Sequence, residues 1–265
     1  MFKIFQRLWQ VNWAEQWQYR ANLIMYLLYW LVSPIIYLAV WTSIAQSKGS
    51  VNGLTVNDFV TYYMTLLIVD QITSNIVIHT FAYKVQDGSL SGELVRPIHP
   101  MLTNALVNNI AFKALTIMGF IPIWIVLFFL YKPDFSSVTL TGVLLSIPAM
   151  MLGFIVGYLL SAAVTALAFW TTRVYSIQEF YFAISLLFSG QFVPLTLMPE
   201  LIQEIAQYLP FQLLLYYPIQ LILGNLTTAQ IIQGYIIGFI WLGIAILLFN
   251  WIWRNGVKRY SAVGA

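Results

Sequence analysis

Six long apolar runs, at about residues 23–45, 59–80, 111–131, 139–170, 175–193 and 231–253, divide this chain and constrain it more than any other feature. A helix rises ~1.5 Å per residue, so ~20 apolar residues cross a ~30 Å hydrocarbon layer. Only 8% of the 265 residues are charged, against about 25% in ordinary soluble domains. A chain with 60% hydrophobic residues and so few charges has no polar exterior to offer water. Disordered chains are poor in aromatics, and 17% of this one is Phe, Trp or Tyr. Strand barrels need short alternating segments, whereas these runs are continuous. The sequence therefore predicts an all-α integral membrane protein with six transmembrane helices, forming a single domain over residues 1–265. The fourth run is long for a span and is expected to tilt or protrude.

Orientation follows from the basic residues. With the N-terminus cytoplasmic, Lys3, Arg7, Arg20, Lys84, Arg96, Lys113, Arg173, Arg254, Lys258 and Arg259 fall inside, and only Lys48 and Lys132 fall outside. Ten against two predicts both termini in the cytoplasm under the positive-inside rule. The same bias accounts for the net charge of +3 without a nucleic-acid partner. The first run has the length of a true span, so no cleavable signal is expected. The chain has no cysteine, and His79 and His99 match no metal-ligand spacing.

Three stretches between the runs have a character of their own. In 2–20, Lys3, Gln6, Arg7 and Gln10 share one helical face opposite Ile4, Phe5, Leu8, Trp9 and Val11. That pattern, with Trp13 and Trp17 continuing the Trp9 spacing, predicts a helix lying in the cytoplasmic interface. The loop 81–104 is the most polar part of the chain and leaves room for one short helix before Pro97. A loop of this length suits docking better than idle connection. On the outside, 191–228 contains no Lys or Arg. It offers a short amphipathic helix after Pro199 and a 13-residue apolar stretch interrupted by Pro218, too short to cross and expected to be re-entrant. In the fourth run Ala149, Gly153, Gly157, Ser161 and Thr165 recur every four residues, a seam for close helix packing.

Ionisable groups inside the runs are few: Asp70 beside Gln71, His79 near an inner end, and Glu179, which with Arg173 is expected at the interface. An intramembrane carboxylate is a functional candidate by default. Asp70 fits either an interhelical hydrogen bond or a coupling site, though ion-coupled carriers normally bring several such groups and broken helices. No phosphate-binding loop and no nucleophile elbow occurs, so no catalytic residue, cofactor site or metal site is expected.

The runs DGSLSGELVRPIHP (87–100) and SGQFVPLTLMPELIQEIAQYLPF (189–211), set in this six-run arrangement, resemble the permeases of bacterial ATP-binding-cassette exporters of the type-two class. The resemblance covers nearly the whole chain. It implies a second permease subunit and a separate ATP-binding subunit, which would hold the ATP and Mg, in the bacterial plasma membrane. It implies further that Asp87, Gly88, Leu90, Glu93, Leu94 and Arg96 couple to that subunit, and that 199–223 caps the path. Aromatic spans and membrane lipid contact suit an amphipathic cargo such as a lipid, glycolipid or drug-like molecule. Two other readings stay open: a stand-alone channel or ion-coupled carrier using Asp70 and Gln71, and a membrane scaffold without transport.

Overall fold

The computed structural model describes residues 2–75, 77–101 and 105–260, and among these the chain is helical, with a single isolated bridge between Val51 and Leu54. In chain order the helices are α1 (Phe2–Gln18), α2 (Arg20–Lys48), α3 (Val56–Thr73), α4 (Val77–Gln86) and α5 (Ser91–Leu94). There follow α6 (Leu106–Tyr131), α7 (Leu140–Ala166), α8 (Val174–Phe188), α9 (Glu200–Ala206), α10 (Tyr216–Ile222) and α11 (Thr228–Arg259). Their starts are written in local chemistry. Thr55 and Asp58 cap α3 reciprocally, Thr227 and Gln230 do the same for α11, and the Thr139 hydroxyl accepts from the Gly142 amide to open α7.

Four described helices are long and apolar enough to cross a membrane: Ala21–Lys48, Leu106–Tyr131, Leu140–Phe169 and Thr228–Arg259. They correspond to the first, third, fourth and sixth apolar runs. The second run is not one continuous helix. It breaks after Thr73, where Ser74 turns to an extended ψ of 161°, and resumes at Val77 as α4. Polar Asp70, Gln71, Ser74 and Asn75 cluster at the break. Short polar side chains favour local bonds that compete with the helix. The fifth run is also shorter than its apolar length suggests, because α8 has 15 residues, ~22 Å of rise.

The two larger apolar clusters among the described residues lie along the bundle. Phe59, Tyr63, Met64, Leu66 and Val69 of α3 anchor one, packed against Leu31 and Leu38 of α2, Phe120 of α6 and Ile219 of α10. The other gathers Phe81, Ala82 and Val85 of α4 with Leu90 and Met101, the second half of α7, and Phe249, Ile252 and Trp253 of α11. The helix α7 runs through the middle and makes its most extensive packing with α11.

The small-residue seam of α7 is consumed within the chain. A side chain at Gly153 would collide with the backbone of Leu213, and one at Gly157 would reach Leu214 at 2.7 Å. These positions admit the 3₁₀ turn Pro210–Leu213 and α10, where Tyr217, Ile219 and Leu221 are buried. The segment leading there is pinned to α2 and α3. The Tyr62 hydroxyl donates to Gly190 (2.7 Å), and Tyr63 (2.8 Å) and the Trp41 indole (3.0 Å) both donate to Phe192.

The helix α1 forms as its pattern predicts, and it meets the bundle through Trp13, packed on Leu23, Phe112 and Leu115, and through one polar contact. Asn12 is buried and accepts from the Asn108 amide of α6 at 2.8 Å. Phe5, Trp9, Val11 and Trp17 are exposed.

Candidate functional site

The loop after α4 is built as a rigid platform. Asp87 accepts from the Ser89 amide (2.9 Å) and hydroxyl (2.7 Å), closing a turn of the Asx type. Those bonds hold the exposed Asp87 carboxyl below the usual carboxylate range. Gly88 sits at φ +85°, a left-handed conformation that L side chains rarely adopt. Its carbonyl accepts from the Ser91 hydroxyl at 2.8 Å and from the Tyr260 hydroxyl at 2.7 Å. The short α5 follows, with Glu93 paired to Lys84 of α4 at 2.6 Å.

Beyond α5 the chain is tied back to the bundle. The Tyr158 hydroxyl donates to the Met101 carbonyl, and the Met101 amide donates to His99 Nδ1 at 3.3 Å. The His99 ring rests on Trp253 with centroids 4.4 Å apart and on Phe249 at 5.6 Å. Burial holds the His99 imidazole below its ordinary value. Residues 102–104, the end of the predicted loop, lie outside the described residues.

The structure sorts the predicted coupling residues into two groups. Asp87 and Arg96 are exposed. Leu90, expected to reach a partner, is fully buried in the chain's own core and anchors the loop from within. Leu94 packs partly against that same core, and Glu93 is committed to Lys84. Val95, which the sequence reading passed over, is 85% exposed beside Arg96. An aliphatic residue held out at the tip of a polar loop was the available signal. Asp87, Val95 and Arg96 are thus exposed on a loop whose neighbouring residues tie it back to the bundle.

A second constellation lies at the break of the second run. Lys113, counted from sequence among the cytoplasmic residues, sits within α6. Its ammonium donates to the Gln71 carbonyl (2.9 Å) and the Ser74 hydroxyl (3.0 Å), and it lies 5.5 Å above the Phe154 ring. A cation at the carbonyl end of a helix is favoured by the helix dipole. Asp70 is partly buried and interacts electrostatically with Lys113. Gln71 is buried. Gln71, Ser74, Asn75, Asn109, Lys113 and Thr116 line a cavity of about 10 Å³, room for one water. The Asn75 Oδ1 and both amide atoms of Asn109 have no hydrogen-bond partner among the described residues and line the same space. Lys113 was missed as part of this site because it stands 43 positions from Asp70, and only the packing of α6 on α3 joins them. The His79 side chain lies outside the described residues. Glu179 belongs to α8, and Arg173 precedes it, away from this cluster. Among the described residues no group of His, Asp or Glu is arranged to hold a metal.

A bundle of long apolar helices, with a fixed polar loop at one end and short packed helices at the other, defines a multi-pass membrane protein of the permease kind. Residues 21–264 match the family described as ABC-2 family transporter protein, and the chain belongs to that family, the membrane permeases of ATP-binding-cassette transporters. No curated protein matches the sequence.

Proposed function

We propose that the chain is the membrane-spanning permease of an ATP-driven exporter, pairing with a second permease to form the path for an amphipathic cargo. In this reading the chain crosses the membrane six times, with α3 and α8 as the two short crossings and both termini cytoplasmic. The 18 residues of α3 rise ~27 Å, close to the hydrocarbon thickness. The short helices between 199 and 223 then close the outer end of the path. A separate ATP-binding subunit docks on the loop through Asp87, Val95 and Arg96.

The observation that carries this reading is the construction of the loop. Leu90 and Met101 are wholly buried, Glu93 is bound to α4, Gly88 and His99 to α11 or its flank, and Met101 to Tyr158 of α7. A mere connector needs no such anchoring. Interface energy concentrates in a few truncatable anchors, each worth about 1–4 kcal/mol. Replacing Val95 and Arg96 with Ala should therefore abolish co-purification of the ATP-binding subunit, with membrane insertion unchanged. Undiminished co-purification of that subunit with the double variant would overturn the docking assignment. Alternatively, a chain that transports in vesicles without any ATP-binding subunit would favour the carrier reading built on Asp70.

A further inference from the structure

We infer that Tyr260, seated with Trp253 at the end of α11, is a positioning residue that ties the loop to the last helix. A push on the loop is thereby delivered to α11 as well as to α4. The inference rests on the reading of the loop as the docking site.

The geometry is specific. The Tyr260 hydroxyl donates to the Gly88 carbonyl at 2.7 Å, although 172 positions separate them. Gly88 is the left-handed pivot between α4 and α5, so this bond grips the loop at its turning point. A cluster of edge-on and tilted rings reinforces it. Phe169 lies 5.9 Å from Tyr260 and 5.6 Å from Trp253, and Trp253 in turn contacts Phe81 (5.5 Å) and His99 (4.4 Å). Both flanks of the loop, Phe81 before it and His99 near its end, therefore rest on one residue of α11.

The helix they rest on is suited to carry displacement. α11 has 32 residues, ~48 Å of rise, with no proline inside it. Its opposite end meets the short helices that precede it. The Tyr217 hydroxyl of α10 donates to Ile231 at 2.7 Å, and the Trp241 indole donates to Tyr208 at 2.8 Å. One continuous helix thus touches the loop at one end and the 208–217 segment toward the other. A rigid element contacting both regions gives the coupling a physical route.

The test uses the purified complex with its ATP-binding subunit and a single reporter cysteine, Glu204→Cys on α9, in this cysteine-free chain. Labelling by a maleimide is timed with and without ATP and vanadate. In the Tyr260→Phe variant, subunit binding and ATP hydrolysis should stay within about twofold of wild type. The nucleotide-dependent change in labelling rate should shrink at least about threefold. Equal responses in both proteins, or a wild-type reporter insensitive to nucleotide, would overturn the inference. So would loss of subunit binding in Tyr260→Phe, since that would make Tyr260 a docking residue. If the wild-type chain binds no ATP-binding subunit at all, the docking reading fails first. Hydrogen exchange on the isolated chain is the independent arm. Tyr260→Phe should speed exchange at amides 89–94, and unchanged rates there would count against the tie.

Discussion

Lys113 caps the broken end of α3 by donating to the Gln71 carbonyl at 2.9 Å, with the Ser74 hydroxyl as its second acceptor at 3.0 Å. A helix that stops inside a bundle leaves its last carbonyls without amide partners. Here an ammonium from a neighbouring helix serves the Gln71 carbonyl and the Ser74 amide serves that of Asp70, while the Asp70 carboxylate lies near enough to interact with the cation.

Removing one member of that arrangement should cost more than removing both. Lys113→Leu leaves the Gln71 carbonyl without its donor and Asp70 without its nearby cation, and should destabilise the protein by about 1–3 kcal/mol. Adding Asp70→Asn should recover part of the loss. Thermal unfolding in detergent measures both, and a Lys113→Leu melt matching wild type would dismiss the cap as ornamental.

The loop should loosen in mild acid. The folded state holds His99 below its ordinary pKa of ~6.5, so it binds fewer protons than the unfolded state. Its stabilising contribution is complete above about pH 6.5 and is lost as pH falls toward the depressed folded value. Protonation at Nδ1 would also displace the Met101 amide. Labelling of a single cysteine at Ile98, taken relative to the rate of a free thiol at the same pH so that the falling thiolate fraction cancels, should accelerate between pH 7 and 5.5, and His99→Gln should flatten that dependence.

The α7 seam should tolerate no added bulk. Gly153→Val drives a side chain into the Leu213 backbone, which cannot retreat without moving the Pro210–Leu213 turn. Overpacking of this kind costs on the order of 3 kcal/mol. Gly243, with open space around it, is the matched control. Equal melting points for Gly153→Val and Gly243→Val would refute the seam's role.

Orientation is open to direct measurement. Single cysteines at Ser50, Ser89 and Thr227 should divide under an impermeant thiol reagent on intact cells. Ser50 and Thr227 should label from outside, and Ser89 only after the membrane is opened. Labelling of Ser89 alone in intact cells would invert the topology and remove the loop from the ATP-binding subunit.

Much of this protein was legible before any coordinates. Four of the apolar runs became long helices because continuous apolar sequence has one way to satisfy its backbone in lipid. Helix starts at Thr55, Thr139 and Thr227 are local events, fixed by residues three positions apart. The seam of Ala149, Gly153 and Gly157 marked a close approach correctly, since small residues at a four-residue spacing have few other uses. Hydropathy could not reveal the break at Ser74, because an average over a window hides a pair of polar residues. It also could not show which loop residues face out. Leu90 and Val95 are both aliphatic residues of one polar loop, yet one is wholly buried and the other 85% exposed. That choice depends on where α7 and α11 lie, as do the contacts of Lys113 with Gln71 and of Tyr260 with Gly88. Sequence determines which segments enter the membrane, because transfer of apolar surface is a local sum over neighbouring residues. Only the tertiary structure decides which polar groups meet, because a hydrogen bond between distant positions exists only once the helices are packed.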